Sequence, residues 1–487
     1  MRKPYTVSLA ATSVMVLVAG LCLEQPLLAA PQRGAAGTEW VAAQQSKLPP
    51  DVHPDTLSRA TKPKASDFTD PDDQKSFAKT SKGNAHGNWL GPSGTRLQVP
   101  PYAENYEAMT RDLDKYIDPK LAELVDVVSA REAGNQALYL DHYQAALKTN
   151  GLAVLEIIRL RKPTKGLDPK QTAIIEYARE MFKPPMVAPI SAKVYGDMEA
   201  NFGKQGTLAI TALMMGIQAD NVIMRAYDQR MDTSAGCTGS GCLNLKDVPP
   251  LWNNPKTAEG DTQTEIQWAK GQAILPPSIF PETLCRIPRV KESDFTTDED
   301  KEAFDKVNNA PGSKQLVSRW LGPTGMRLQI PVYAVKANAQ NKAFRTKSGV
   351  DTKYMELAAG VATRENGSRE QYIDHIEDGI KAYGEQAQEV IQHRKDPAAL
   401  DAKEIAIIEF ARDLYKMPRT DPVSSQAFAN LEKNFGPRGA MGIIALMAYY
   451  DGNLMLIRTY DQHMDTRPNC SGSHMGCMDM NHLPPAW

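Results

Sequence analysis

The chain has 487 residues, enough for about three domains of roughly 150 residues each if no internal repeat is considered. Its composition, 42% hydrophobic and 23% charged, is typical of a soluble globular protein with a sizeable core and excludes a chain that is disordered throughout. The formal net charge of -2 and the lack of any cluster of Lys and Arg argue against a nucleic-acid partner.

The N-terminal segment has the pattern of an export signal. Arg2 and Lys3 precede a largely apolar stretch, 7–23, and small residues near Ala30 offer a cleavage site. We therefore predict a signal peptide over 1–30 and a periplasmic or secreted protein. Leu21 stands where a lipoprotein signal would need a small residue before Cys22, whereas an uncleaved anchor stays open because the stretch approaches the length of a membrane span.

An internal repeat sets the predicted number of domains at two. The segment Trp-Leu-Gly-Pro-Ser-Gly-Thr-Arg-Leu-Gln-Val-Pro at 89–100 returns as Trp-Leu-Gly-Pro-Thr-Gly-Met-Arg-Leu-Gln-Ile-Pro at 320–331, and the similarity continues beyond it. Both units close on Pro-Pro-x-Trp. The predicted organisation is a flexible leader (31–65), unit one (66–252), a proline-containing linker (253–292) and unit two (293–487).

The hydrophobic periodicity within each unit is helical. Apolar residues recur at spacings of three and four, as from Leu121 to Val128, and no alternating strand pattern competes with them. Asp118 and Asp168 each precede a proline, which predicts two helix N-termini, and Asp401 is expected to cap the matching helix of unit two. Segments 208–224 and 440–456 are apolar on most faces and should form central buried helices. We predict an all-helical bundle of six or seven helices in each unit.

The cysteines suggest two small clamped loops near the ends of the units. Cys237 with Cys242 and Cys470 with Cys477 bracket Gly- and Ser-containing turns at matched positions, so a local disulfide in each is expected after export. A redox-active dithiol is the second interpretation. A metal site is the third: His474 and His482 would join the second pair of cysteines, but the first loop has no histidine. Cys285 has no predicted partner.

One acid and one histidine recur in both units. Of the eight histidines, only His142 and His375 lie at matched positions, and Glu123 and Glu356 occupy the preceding predicted helix among apolar residues. A carboxylate there is expensive to bury without a partner. Each pair could form a proton relay, in which the glutamate orients the imidazole and the other ring nitrogen exchanges a proton with a substrate. Each pair could equally be a structural hydrogen bond between helices.

Other matched positions are candidates for substrate binding. Arg96 and Arg327, in the Gly-Pro-x-Gly-x-Arg segment, could hold a carboxylate or form a structural salt bridge. Tyr139 and Tyr372 lie one helical turn before the histidines and could line a pocket or fill the core. Gln371, next to Tyr372, is polar where unit one has leucine, which favours unit two as the better site.

These motifs resemble a known family. The order Leu-Gly-Pro-x-Gly-x-Arg-Leu, a Glu-Leu helix, a histidine helix, Ile-Ile-Glu-[Tyr/Phe]-Ala-Arg and Asn-Phe-Gly is similar to that of the carboxymuconolactone decarboxylase family, which includes alkyl hydroperoxidase D. The resemblance covers 89–232 and 320–465. It implies an all-helical fold, trimeric or hexameric assembly, and relay residues at Glu123, His142, Glu356 and His375.

The chain departs from the hydroperoxidase branch at the thiols. The positions of its Cys-x-x-Cys motif hold Asn135 and Leu138 in unit one, and Ser368 and Gln371 in unit two. No thiolate therefore stands beside either relay to attack a peroxide. Even the decarboxylase-like branch often has Glu-Trp where this chain has Leu-Tyr and Gln-Tyr.

Three functions follow from the resemblance. The first is a cofactor-free lyase, needing no metal, that acts on a small carboxylated or lactone-like organic acid. The second is a non-catalytic scaffold or ligand-binding protein of the cell envelope. The third and weakest is a peroxidase that uses the remote Cys470 and Cys477. We also expect self-association, since the repeat could replace a dimer contact and leave a two-unit chain that forms trimers.

Overall fold

A computed structural model describes residues 48–83, 89–184, 186–237, 241–245, 248–252, 275–308, 321–417 and 419–464. Every regular element within these ranges is a helix, and the only β-type pairings there are isolated bridges. The prediction of an all-helical protein is confirmed. The predicted signal peptide and the second cysteine loop, with Cys470 and Cys477, lie outside the described residues.

The elements follow the same order in the two halves of the described chain, which we call the first half (48–252) and the second half (275–464). A short 3-10 turn, Ala65–Asp67 or Glu292–Asp294, opens each series. The first half then has α1 (Pro71–Gly83), α2 (Gly91–Arg96), α3 (Pro100–Leu113), α4 (Pro119–Glu132), α5 (Gln136–Asn150), α6 (Leu152–Arg159), α7 (Pro169–Met181) and α8 (Ala192–Ala226). The second half has α9 (Asp298–Asn308), α10 (Gly322–Arg327), α11 (Pro331–Lys347), α12 (Thr352–Asn366), α13 (Arg369–Tyr383), α14 (Glu385–Gln392), α15 (Ala402–Leu414) and α16 (Ser425–Tyr460).

The predicted helix starts are confirmed. The side chain of Asp118 accepts a hydrogen bond from the backbone N–H of Lys120, at the start of α4. Asp168 does the same at the start of α7, and Asp401 caps α15 with bonds from two backbone amides. These bonds satisfy amides that have no partner inside the helix, which explains why an aspartate precedes each helix.

The two longest helices, α8 and α16, form the centre of the fold. Each changes direction at a glycine with a left-handed φ, 67° at Gly203 and 69° at Gly436, which a residue with a Cβ rarely adopts. Both are long and apolar enough to cross a membrane, but their apolar windows are 78% and 94% buried inside the protein. Such burial is what a core helix requires, and the prediction of central buried helices over 208–224 and 440–456 is confirmed.

The two halves pack on each other through α8 and α16 and through α3 and α11. Gln218 of α8 donates a hydrogen bond to Asp451 of α16 at 2.9 Å, and the hydroxyls of Tyr177 and Thr459 lie 2.6 Å apart. The apolar core around α4 and α5 also includes Tyr460, at the end of α16. The halves therefore share buried contacts instead of meeting only at a surface.

Two arginines in the segments before the helices fasten the halves together. Arg59 donates to the carbonyl of Ala226 at 3.1 Å and to that of Val423, in the other half, at 2.7 Å. Arg286 donates to the carbonyl of Thr459 at 3.1 Å and, in the first half, to that of Ile190 at 2.6 Å. Each arginine thus ties the end of one long helix to the opposite half.

Parts of the predicted leader and linker pack against the helices. Arg59, in 48–65, is 4% exposed and Arg286, in 275–292, is 7% exposed, although both segments also contain exposed residues. The sequence similarity between the halves begins before residues 89 and 320. Residues 56–59 are Thr-Leu-Ser-Arg, and the matching residues 283–286 are Thr-Leu-Cys-Arg.

Candidate active site

Four side chains from four helices meet in the second half and form what we call the second-half cluster: Arg345 of α11, Glu356 of α12, His375 of α13 and Tyr450 of α16. The Nδ1 atom of His375 lies 3.7 Å from a Glu356 oxygen, and its Nε2 atom lies 2.9 Å from the Tyr450 hydroxyl. Arg345 donates to Glu356 at 2.7 Å and to the Tyr450 hydroxyl at 2.9 Å. The structure therefore brings Glu356 and His375 close together. Arg345 holds Glu356 and Tyr450 in place by donating a hydrogen bond to each.

The second-half cluster is half-buried and electrically compensated. The side chains of His375 and Glu356 are 15% and 17% exposed, so the edge of the cluster reaches solvent. Burial raises the pKa of Glu356, but interaction with His375 and with the charge of Arg345 outweighs it and holds this pKa at about 2. Burial also raises the pKa of Tyr450 well above its usual range. At neutral pH the cluster therefore holds a carboxylate and an uncharged phenol.

The matching residues of the first half have different neighbours. Glu123, Asp126 and His142 form what we call the first-half cluster, and one potential ligand atom of each lies within 4.8 Å of the others. The close contact of His142 Nδ1 is with Asp126, at 3.7 Å, rather than with the predicted Glu123. Asp126 stands where the second half has the fully buried Ala359. The predicted pair is thus near, but a second acid lies closer to the imidazole.

The first-half cluster has no counterpart of Arg345 or Tyr450. Asp114 and Ile217 stand at the positions that match the arginine and the tyrosine of the second-half cluster. Burial raises the pKa of Asp126 to about 6, against the opposing effect of His142, and the charge of Glu123 adds to the rise. Burial alone would lower the pKa of His142, but Asp126 and three further acids raise it. The first-half cluster is therefore acidic and favours a charged imidazole.

The ligand types of the first-half cluster could in principle hold a divalent cation. Two carboxylates and one imidazole lie within reach of one another, and such ligands suit several divalent metals. The second-half cluster is less suited, because Arg345 already neutralises Glu356. The sequence predicted no metal in either half.

The two arginines predicted to hold a carboxylate have different surroundings. Arg96 is 2% exposed and forms an ion pair with Asp220 of α8. Arg327 is 1% exposed and donates to the Tyr449 hydroxyl at 3.1 Å and to the side-chain oxygen of Asn453 at 2.5 Å. Neither arginine contacts the Glu/His pair of its own half directly.

The remaining predicted substrate-binding residues are buried. Tyr139 packs edge-on against Trp252, with ring centroids 4.9 Å apart. The hydroxyl of Tyr372 accepts a hydrogen bond from Gln388 at 2.5 Å. Gln371 is 6% exposed and donates to the Tyr450 carbonyl at 3.2 Å. Tyr139 and Tyr372 thus fill the core, the second of the two roles considered for them, whereas Gln371 supports the helix that carries Tyr450.

None of the described cysteines belongs to either cluster. Cys237 and Cys242 form a disulfide, and Asp141, beside His142, accepts a hydrogen bond from the Gly241 amide of this loop at 2.7 Å. Cys285 is a free, buried thiol whose pKa is raised to about 11 by burial. A thiol with such a pKa is a poor nucleophile at neutral pH.

Sequence reasoning did not select Arg345, Tyr450 or Asp126 as functional residues. Asp126 lies one helical turn after Glu123, so helical spacing could have indicated it. Arg345 and Tyr450 come from helices distant in sequence, and both differ between the halves, so a search for matched residues discards them.

A scan of the chain against protein-family models, a search among curated proteins and a search among solved structures found no match.

Proposed function

We propose that the chain is an exported, carboxymuconolactone decarboxylase-like protein built from two tandem copies of the family's bundle, and that it acts as a cofactor-free lyase on a small carboxylated or lactone-like organic acid. The motif order and the N-terminal apolar stretch support the family and the export. The observation that carries the reaction is the second-half cluster, in which His375 lies between Glu356 and Tyr450.

The geometry of this cluster favours a basic nitrogen at His375. The Tyr450 phenol stays protonated, because burial raises its pKa, and donates to Nε2 or to another acceptor. If Nε2 accepts, the ring proton resides on Nδ1, on the side of the Glu356 carboxylate. We assign this tautomer because the phenol can donate to Nε2, whereas the Glu356 carboxylate, 3.7 Å from Nδ1, can only accept. We propose that a substrate displaces the Tyr450 hydroxyl and exchanges its proton with Nε2.

The proposed chemistry balances without a further reactant. Cleavage of the bond to the substrate carboxylate releases carbon dioxide and leaves the electron pair on the adjacent carbon, stabilised as an enolate by a neighbouring carbonyl. Before this cleavage His375 takes a proton from solvent at Nε2, and the resulting imidazolium then delivers that proton to the carbon, which returns His375 to its neutral form. Glu356 is a positioning residue, since it stabilises the charged ring and touches no substrate atom.

The first-half cluster is a weaker candidate for this reaction. Its imidazole has a raised pKa, so a smaller fraction of His142 is available as a base at neutral pH. It also has no tyrosine at the position that matches Tyr450. We therefore assign the reaction to the second half.

The test measures carbon dioxide release from a panel of carboxylated lactones and keto acids. His375→Ala should lower the turnover of an accepted substrate by about 10²- to 10⁴-fold. His142→Ala is the matched control and should retain most of the activity. Glu356→Gln should shift the pH profile of turnover, an effect that a purely structural residue would not produce.

Two results would count against the proposal. If the wild-type chain releases no carbon dioxide from any member of the panel, the lyase assignment fails and a non-catalytic protein becomes the better description. If His142→Ala and His375→Ala reduce turnover equally, the assignment to the second half is wrong.

A further inference from the structure

The strongest unexplained feature outside the two clusters is the charge of Arg327. This side chain is 1% exposed, and its guanidinium forms no ion pair with any carboxylate in the described part of the chain. Its side-chain partners are the phenols Tyr449 and Tyr333 and the amide of Asn453.

The Nε–H of Arg327 is buried without a hydrogen-bond partner, as is that of Arg96, so the counter-charge is what distinguishes the two arginines. Other buried arginines that have no ion pair in the described part of the chain, such as Arg225 and Arg458, donate to backbone carbonyls. Arg327 instead donates to side chains, and an anion would compensate its charge.

The matched arginine of the first half shows what the second half lacks. Arg96 is buried to a similar degree, but Asp220 of α8 supplies its counter-charge. The corresponding position of α16 is Asn453, an amide of nearly the same shape without the charge. The second half thus keeps the buried cation and replaces its internal anion with a neutral group.

A cavity lies beside this uncompensated cation. It is formed between the halves by α3, α8, α11 and α16 and contains about 440 Å³ free of atoms, part of which opens to solvent. The enclosed part measures about 40 Å³, which has room for a few water molecules or a ligand of a few heavy atoms. Arg327 is its charged lining residue, and the side chains around it are mostly aromatic or apolar, including Tyr106, Met109, Phe344 and Tyr449. The matched Arg96 does not line the cavity.

We propose that this cavity binds a small monocarboxylate, with the carboxylate paired to the Arg327 guanidinium and a short apolar body packed against the aromatic side chains. A planar carboxylate suits a guanidinium, because it accepts two N–H bonds in parallel, and it supplies the absent counter-charge. The apolar lining excludes ligands that carry a second charge. Glu356, His375 and Tyr450 do not line this cavity, although the ring of its Tyr449 contacts that of Tyr450, and the proposal does not depend on the relay being catalytic.

The test uses calorimetric titration of the full chain with propionate. Propionate should bind, whereas propionamide, which has the same shape without the charge, should bind at least about tenfold more weakly. Propionate should also raise the melting temperature, because a ligand that binds only the folded state stabilises it. Chloride should compete weakly, since it lacks the apolar body.

Asn453→Asp is the decisive variant, because it gives Arg327 the internal counter-charge that Arg96 has. It should melt at a higher temperature than the wild type without ligand and bind propionate at least about tenfold more weakly. Arg327→Met should also lose binding, but Asn453→Asp keeps the test valid if that variant fails to fold. His375→Ala should bind propionate like the wild type, so a failed lyase proposal and a failed cavity proposal are distinguishable.

Three outcomes would overturn the proposal. The first is the absence of propionate binding to the wild type. The second is equal affinity for chloride and propionate, which would mean that the apolar lining contributes nothing. The third is wild-type affinity in Asn453→Asp.

Discussion

The first-half and second-half clusters keep the same glutamate and histidine and surround them differently. In the second-half cluster Arg345 neutralises Glu356, and Tyr450 hydrogen-bonds to His375, whereas Asp126 adds a further acid to the first. The pKa of the acid nearest to the imidazole is consequently about 2 in the second half and about 6 in the first. Residues shared by the two halves thus locate a site, whereas neighbours that differ between the halves decide its protonation.

The buried arginines of the two halves also differ in their neighbours. Arg96 and Arg327 hold matched positions, yet Asp220 neutralises one and Asn453 leaves the other without a counter-charge. In each case the difference is one or two side chains on a neighbouring helix. The two halves therefore share an order of helices but differ in the charges around their matched residues. The following experiments test that difference.

The largest effect is expected from Arg345→Met, which removes the compensating charge of the second-half cluster. Glu356 would keep its half-buried position without its strongest cationic partner, so the free energy of unfolding should fall by about 2–3 kcal/mol. Urea denaturation followed by circular dichroism measures this change.

A double variant serves as the control for this prediction. Arg345→Met combined with Glu356→Gln removes both charges and should recover part of the lost stability. A loss in the double variant as large as in the single one would show that side-chain packing, and not charge compensation, explains the effect.

The pH dependence of stability should differ between the clusters. Glu356 has a folded pKa of about 2 against an ordinary 4.5, so its stabilisation is present above pH 4.5 and is lost as the pH falls towards 2. Asp126 has a folded pKa of about 6 against an ordinary 3.8, so it destabilises the fold above pH 6, and this effect disappears as the pH falls towards 3.8. Each contribution is on the order of 3 kcal/mol.

Two variants separate these contributions. Glu356→Gln should lessen the loss of stability below pH 4.5, and Asp126→Asn should remove a gain of stability between pH 6 and 4. Denaturation midpoints measured from pH 2.5 to 7 compare both variants with the wild type. If both variants change the same part of the profile in the same direction, the electrostatic difference between the clusters is not real.

The fold was largely predictable, because its signals are local. Helical spacing from Leu121 to Val128 and the caps at Asp118 and Asp168 depend on residues a few positions apart, and the structure places helices where they indicate. The start of the packed region was missed, because this stretch has no helical spacing of apolar residues, although the repeat extends into it: 54–69 and 281–296 are identical at nine of sixteen positions. Its arginines act through backbone carbonyls of the opposite half, which no local pattern reveals.

The candidate site was predictable only in part. Glu356 and His375 come together because α12 and α13 follow each other across a turn at Gly367, so their spacing could be read from the chain. Arg345 and Tyr450 reach the cluster from α11 and α16, and their place depends on how four helices pack. The repeat identified the Glu/His pair because both halves contain it. It could not identify Arg345 and Tyr450, which only the second half contains.

The smallest effect is expected at Cys285, where the matched residue of the first half is Ser58. The Ser58 hydroxyl accepts a hydrogen bond from the Ala60 amide at 3.2 Å, and the Cys285 thiol lies 3.6 Å from the Ile287 carbonyl, so each half has a small polar group in the same turn. Cys285→Ser should therefore change the free energy of unfolding by no more than about 1 kcal/mol.

Native Cys285 should also resist thiol-labelling reagents, because burial raises its pKa to about 11 and leaves it 1% exposed. Labelling followed by mass spectrometry, with the urea-unfolded chain as the positive control, measures this. Fast labelling of the native thiol would show that the turn opens, and a loss well above 1 kcal/mol in Cys285→Ser would show that the two turns are not equivalent. Slow labelling together with a small loss would mean that the turns at Ser58 and Cys285 are equivalent parts of the two halves.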